Sequence, residues 1–220
     1  MTTQYMNNNS QSKAAGMKYK MTDETTEVDG KTLYKIEALI DIDSVEVKAG
    51  DKGGFIESEK NLSQEGDCWV DGNAKVFGNA WVAGNAEVYE DARVFSAACL
   101  YEDARVYGNA WVTENALVLA KARVSGDARV SGNAVVSGNA QVHDNAWVTD
   151  NAHVHGNAHV HGNAWVIDDA WVYGNAEVYG NALVYGRARV SGNAKAFDRA
   201  RVHGNVEVFD EVVSGETEMQ

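Results

Sequence analysis

A solenoid of short parallel β-strands is the fold class this chain predicts, on three observations. From Val70 to Val208 a six-residue unit, Val-x-Gly-Asn-Ala-x, recurs without insertion or deletion, as in Val106-Tyr107-Gly108-Asn109-Ala110-Trp111. Val or Leu holds every sixth position of that run except at Ala196, and Ala holds the second inward position of every unit from Ala74 to Ala200. Gly-Asn recurs between the two, and the 220 residues contain no proline. A period this strict marks stacked repeats, each burying its apolar side against its neighbours.

Each unit reads as a strand and a corner. In Ala110-Trp111-Val112 the Ala and the Val point inward, because side chains alternate across a strand, and Trp111 and Thr113 point outward. Gly-Asn turns the corner, since both residues tolerate positive φ. Small Ala lets the backbones approach near the corner, and the absence of proline suits a body whose N–H groups join ladders between coils. One corner per six residues predicts three sides and 18 residues per coil. The 24 units then make about eight coils, and strands about 4.8 Å apart give a prism roughly 38 Å long. Residues 18 apart stack, so Asn73, Asp91, Asn109, Asp127, Asn145, Asn163 and Asn181 form a corner column in which amide ladders can hold register.

The ends need covering, because an end coil exposes unpaired N–H and C=O groups. Residues 17–66 alternate polar and apolar in stretches such as Thr32–Leu39, which predicts a small cap of antiparallel strands feeding onto the first coil. Gly50-Asp-Lys-Gly-Gly54 reads as a turn. The expected organisation is a disordered leader (1–16), an N-terminal β cap (17–66), the repeat body (67–208) and an acidic tail that covers the far end (209–220).

The repeat resembles the hexapeptide-repeat, left-handed parallel β-helix superfamily, whose pattern is an aliphatic residue, a Gly- or Asn-containing turn and a small residue. The resemblance covers residues 68–208. It implies left-handed coiling, which the usual right-handed crossover preference would not. The leader segments Tyr19-Lys-Met-Thr-Asp-Glu, Leu33-Tyr-Lys-Ile-Glu-Ala-Leu and Ala49-Gly-Asp-Lys-Gly-Gly-Phe-Ile-Glu-Ser-Glu-Lys-Asn-Leu-Ser63 are similar to those of uncharacterised hexapeptide-repeat proteins of bacteria and phages, often labelled acyltransferases on fold alone. Fold by itself carries no function.

Composition narrows the classes. The net charge of −13 is spread: residues 1–66 carry 12 acids and 8 bases, residues 67–208 carry 16 and 11, and the tail carries 4 acids. Nucleic-acid binding asks for a basic footprint that is missing here. No run of about 18 apolar residues suggests a membrane span, and the polar start has no secretory h-region. Cys68 and Cys99 sit in separate repeat slots, which fits free thiols and a cytoplasmic location, the host cytoplasm if the gene is phage-borne.

The outer faces differ. On the second face, Trp81, Cys99, Tyr101, Leu117, Leu119, Val135, His153, His155, Trp171 and Tyr173 belong to two columns that hold no Asp, Glu, Lys or Arg from Trp81 to Tyr173. A flat uncharged patch above the few hundred Å² usual for a monomer predicts an interface, most simply with another copy as a dimer or trimer. On the first face, Arg93, Trp111, Arg129, Trp147 and Trp165 share a column. Trp and Arg favour binding hot spots, so the column reads either as a surface for a partner, planar ligand or sugar, or as cross-strand stacking. On the third face, His143, His159 and His161 can align three nitrogens for a metal, zinc above all.

The expected function is a non-catalytic binding or scaffold protein that self-associates and engages a protein partner, such as a host factor if the gene is from a phage. No resident cofactor is expected beyond that possible zinc, and no catalytic residue is assigned. The resemblance implies two alternatives. Acyltransferases of the superfamily use coenzyme A and a loop with a catalytic His, whereas no loop interrupts these units. Gamma-type carbonic anhydrases bind zinc with histidines between subunits.

Overall fold

The computed structural model describes residues 16–219. The expected disordered leader therefore lies, but for Gly16, outside the described residues. The fold is all-β: three parallel sheets of twelve, nine and eight strands form the sides of a solenoid of about nine turns. Twenty-four short strands, from β4 (Trp69–Val70) to β27 (Glu207–Phe209), build the body. No helix among the described residues is long and apolar enough to cross a membrane.

The period explains the strands. The Val or Leu at every sixth position from Val70 to Val208, with Ala196 among them, and the Ala at the second inward position from Ala74 to Ala200 are buried. They form one continuous core running the length of the prism. Each side of a coil donates its hydrogen bonds to the next. Asn73, Lys75 and Phe77 give their N–H groups to the carbonyls of Glu90, Ala92 and Val94 at 2.9, 2.9 and 3.0 Å. Equivalent residues are 18 apart, as in Trp111 beside Arg93 and Arg129.

The left-handed backbone conformation falls on the Gly slot of each corner, and acids share that slot. Glu90, Glu114, Asp144 and Asp168 stand there with φ of 60°, 60°, 58° and 59°. A hydrogen bond accounts for their presence. Glu90 Oε2 accepts from Gly108 N at 2.7 Å, Glu114 Oε2 from Gly132 N at 2.6 Å, and Asp168 Oδ2 from Gly186 N at 2.9 Å. A corner N–H one coil further on thus finds an acceptor. The neighbouring Asn slot builds ladders: the expected column is bonded in three separate steps, Asn73 to Asp91, Asn109 to Asp127 and Asn163 to Asn181, and another corner is continuous. Asn139, Asn157, Asn175 and Asn193 pass amide hydrogen bonds down one corner at 2.9, 3.0 and 3.2 Å.

The cap is a separate construction. Strand β1 (Tyr19–Val28) pairs antiparallel with β2 (Lys31–Ala38), which pairs antiparallel with β3 (Lys52–Ile56). Strand β3 then pairs in parallel with Lys75–Val76 and so begins the first sheet of the solenoid. The spacing there is 20 residues, Phe55 beside Lys75, rather than 18. The Gly53-Gly54 pair is strand, not turn. A Cβ on Gly54 would stand 2.7 Å from the Ala74 carbonyl oxygen, so glycine lets β3 lie directly on the first coil.

At the other end the acidic tail continues the coil. Strands β28 (Val212–Val213) and β29 (Glu218–Met219) pair with Lys195–Ala196 and Arg201–Val202. The spacing shortens to 17 residues, Lys195 beside Val212. These additions at both ends extend the expected eight coils to about nine turns.

Candidate functional site

The second face keeps its ten expected residues together on the eight-stranded sheet. Leu117 lies between Cys99 and Val135, and His153 between Val135 and Trp171. Trp81 and Trp171 are 39% and 37% exposed, and the other eight are half-buried. The half-burial comes from stacking along the column. The Trp81 and Tyr101 rings meet edge to face at 4.9 Å, His153 stacks on Trp171 at 4.5 Å, and His155 stacks on Tyr173 at 5.0 Å. Burial, and then the charge of His153, hold the His155 imidazole below its ordinary value. Its Nε2 is buried without a hydrogen-bond partner.

The first face forms a ladder of cations and rings. The Arg93 guanidinium lies 5.3 Å from the Trp111 ring, and Arg129 lies 5.0 Å from Trp111 and 4.9 Å from Trp147. Trp147 and Trp165 stack at 4.9 Å with 2° between their planes. Such contacts stabilise the surface by roughly 0.5–1 kcal/mol each where exposed. The strand ladder sets the gap between these rings, and Trp165, at the end of the stack, is 44% exposed.

On the third face the donors that converge are His143, Asp144 and His161. The two imidazoles stack at 4.8 Å. His143 Nδ1 stands 3.2 Å from Asp144 Oδ1, and His161 Nδ1 stands 3.8 Å from Asp144 Oδ2. His159 lies in the adjacent column between Gln141 and Glu177 and is not part of this set. Asp144 is anchored by the Gly162 N–H at 3.0 Å. That bond, with the one from His143, holds its carboxyl below the ordinary range. Burial and the neighbouring His143 hold the His161 imidazole low. Zinc takes N and O donors at about 2.0–2.2 Å in a tetrahedron, which places donors roughly 3.3–3.5 Å apart. The His143–Asp144 separation suits that. The whole set spans 4.8 Å, because the rings lie parallel, so both histidines reach one ion only by turning toward the carboxylate. Asp144 escaped the sequence reading, although an acid in a Gly slot directly after a His was its visible signal.

A family model described as the YdcK beta solenoid repeat matches residues 122–138. Among curated proteins, none matches the chain. The matched segment spans about one coil, and the same geometry runs the length of the prism; the chain is a β-solenoid repeat protein.

Proposed function

We propose that this solenoid is a non-catalytic binding protein whose second face packs against a second copy of the chain and offers the same kind of surface to a protein partner. One observation carries the reading: two adjacent columns from Trp81 to Tyr173 hold no charged side chain, yet leave two tryptophans more than a third exposed. Two copies of an acidic chain meet there without desolvating a charge, a cost that is high unless pairing is complete. The first and third faces carry Arg93, Arg129, Glu87 and Glu177 in their columns and would incur it. The uninterrupted repeat supports a non-catalytic role, since catalytic residues concentrate on loops.

Leu117→Arg is expected to lower the sedimentation coefficient to that of a monomer and leave the β-type circular dichroism unchanged. Leu117 is central in the patch, where truncation costs most, and it points away from the core. A wild type that sediments as a monomer at tens of micromolar, or a variant that stays assembled, removes this reading. Protonation of His155, whose imidazole is held below its ordinary value by burial, is expected to weaken the same contact at acid pH.

A zinc-dependent, carbonic-anhydrase-like role is the second reading, favoured by the His143–Asp144–His161 donors alone. Zinc should then raise the melting temperature, and a chelator should reverse the rise, because only a ligand of the native state stabilises it.

A further inference from the structure

One loop of the cap leans over the third face and encloses space there. Between β2 and β3, Ile42 and Val47 form an antiparallel bridge, and the short 3-10 turn Asp43–Val45 sits at the tip. Ser44 and Val45 cover a cavity of about 280 Å³ whose floor includes Glu87, Arg105, Lys121 and Arg123. A second cavity of about 190 Å³ shares Val45 and Glu87 with it and is lined by Trp69, Asp71 and Tyr89.

The charges in the first cavity do not balance. Arg105 and Arg123 are register partners on adjacent coils, and like charges directly opposite each other on a sheet repel. Glu87 neutralises Arg105 at 2.9 Å. Asp103, also in the wall, accepts the Asn85 amide at 3.0 Å. Among the described residues neither Lys121 nor Arg123 lies in an ion pair. With Asp103 in the same wall, three cations face two carboxylates, a local reversal of sign on a chain of net charge −13. The second cavity adds an aromatic wall, made by Trp69 and Tyr89.

We infer that these joined cavities bind a small phosphomonoester, with its phosphate held by Arg123 and Lys121 beside Arg105 and its organic part against Val45, Trp69 and Tyr89. The dianion of a phosphomonoester at neutral pH matches the two unpaired cations. A guanidinium presents the fork that suits phosphate oxygens. The neighbouring aromatic wall favours a planar organic part. The site is on the third face, so it stands or falls apart from self-association through the second.

Calorimetric titration with phenyl phosphate, inorganic phosphate and benzoate tests this. Phenyl phosphate should bind saturably, with inorganic phosphate weaker because it lacks the ring, and benzoate weaker because it lacks the second charge. Arg123→Gln should weaken phenyl phosphate at least tenfold and leave the circular dichroism and melting temperature near wild type, since Arg123 is exposed. Lys121→Gln should act in the same direction, and Arg187→Gln, on a distant corner, should not. The inference is overturned by no saturable binding of phenyl phosphate at millimolar concentration, by unchanged binding in both Arg123→Gln and Lys121→Gln, or by benzoate binding as tightly as phenyl phosphate.

Discussion

The cap and the repeat body are built on opposite plans. In the body the contacts repeat from coil to coil: Val on Val, Asn on Asn, ring on ring, with polar side chains, Ser191 apart, kept on the outer faces and corners. In the cap the contacts occur once and polar groups are buried. Lys18 is 2% exposed and gives its ammonium to the carbonyls of Gly66 and Cys68 at 3.1 and 2.8 Å and to Cys68 Sγ at 3.2 Å. Asn61 is fully buried, caps Ser58 N at 2.9 Å, and donates to the carbonyls of Gly78 and Ala80 at 3.1 and 2.9 Å. The difference teaches where specificity is needed. A repeating wall offers every coil the same neighbour, so the place where the chain enters the stack must be marked by groups that fit nowhere else. Unsatisfied backbone groups at the end of a sheet supply the demand, and buried side chains with several donors meet it.

Three tests probe that contrast. The largest effect belongs to the body's core. Val112→Asp buries an unpaired charge between coils and is expected to cost about 4 kcal/mol or more, read as a collapse of the urea midpoint. Solenoid repeats contact only their neighbours, so hydrogen exchange should show protection lost first around residues 94–130. Equal loss at both ends would mean that the body unfolds as one unit.

Asparagines allow the two plans to be compared with one chemistry. Asn61→Ala leaves buried carbonyls and an N–H without partners and should cost about 1–3 kcal/mol, whereas Asn157→Ala removes exposed ladder bonds that water replaces and should cost well under about 1 kcal/mol. Equal losses in denaturant midpoint would erase the distinction between unique and replicated contacts.

The smallest effect is that of pH. His155 and His161 have folded pKa values held below the ordinary one near ~6.5. The folded state therefore binds fewer protons than the unfolded state as pH falls below ~6.5, and stability should decline through that window. Asp144 is also held low, but its contribution is present above the ordinary carboxylate range and is lost only at more acid pH. In His155→Phe, which keeps a ring against Tyr173, the decline between neutral and mildly acid pH should shrink. A midpoint independent of pH in this range removes burial of neutral histidine as a factor.

Much of this was legible in the residues. Period six with Ala and Val inward specified strands, corners, three faces and the 18-residue stacking, and the Asn ladders followed from the stacking. Local chemistry also foretold the cap, as the alternation over Thr32–Leu39 shows. The reading of Gly50–Gly54 as a turn holds for Gly50, with φ of 95°, and fails for Lys52–Gly54, which are strand, because glycine serves there for close approach. On the third face the preference for His159 over Asp144 treated outward slots as equivalent, whereas the corner carboxylate turns back along the stack toward both imidazoles.

By itself the sequence determined the solenoid and the content of each face, because both follow from a period that every unit restates, and a one-residue slip would bury polar side chains. Only the tertiary structure decided what covers those faces. Trp69 belongs to an outward column, yet it is buried and lines the cavity beside Val45. The cleft beneath residues 43–45, the offsets of 20 and 17 residues at the two ends and the pairing of Asp144 with His161 arise from contacts between segments distant in sequence. No local pattern encodes these contacts, since they depend on how the cap docks and how one coil lies on the next.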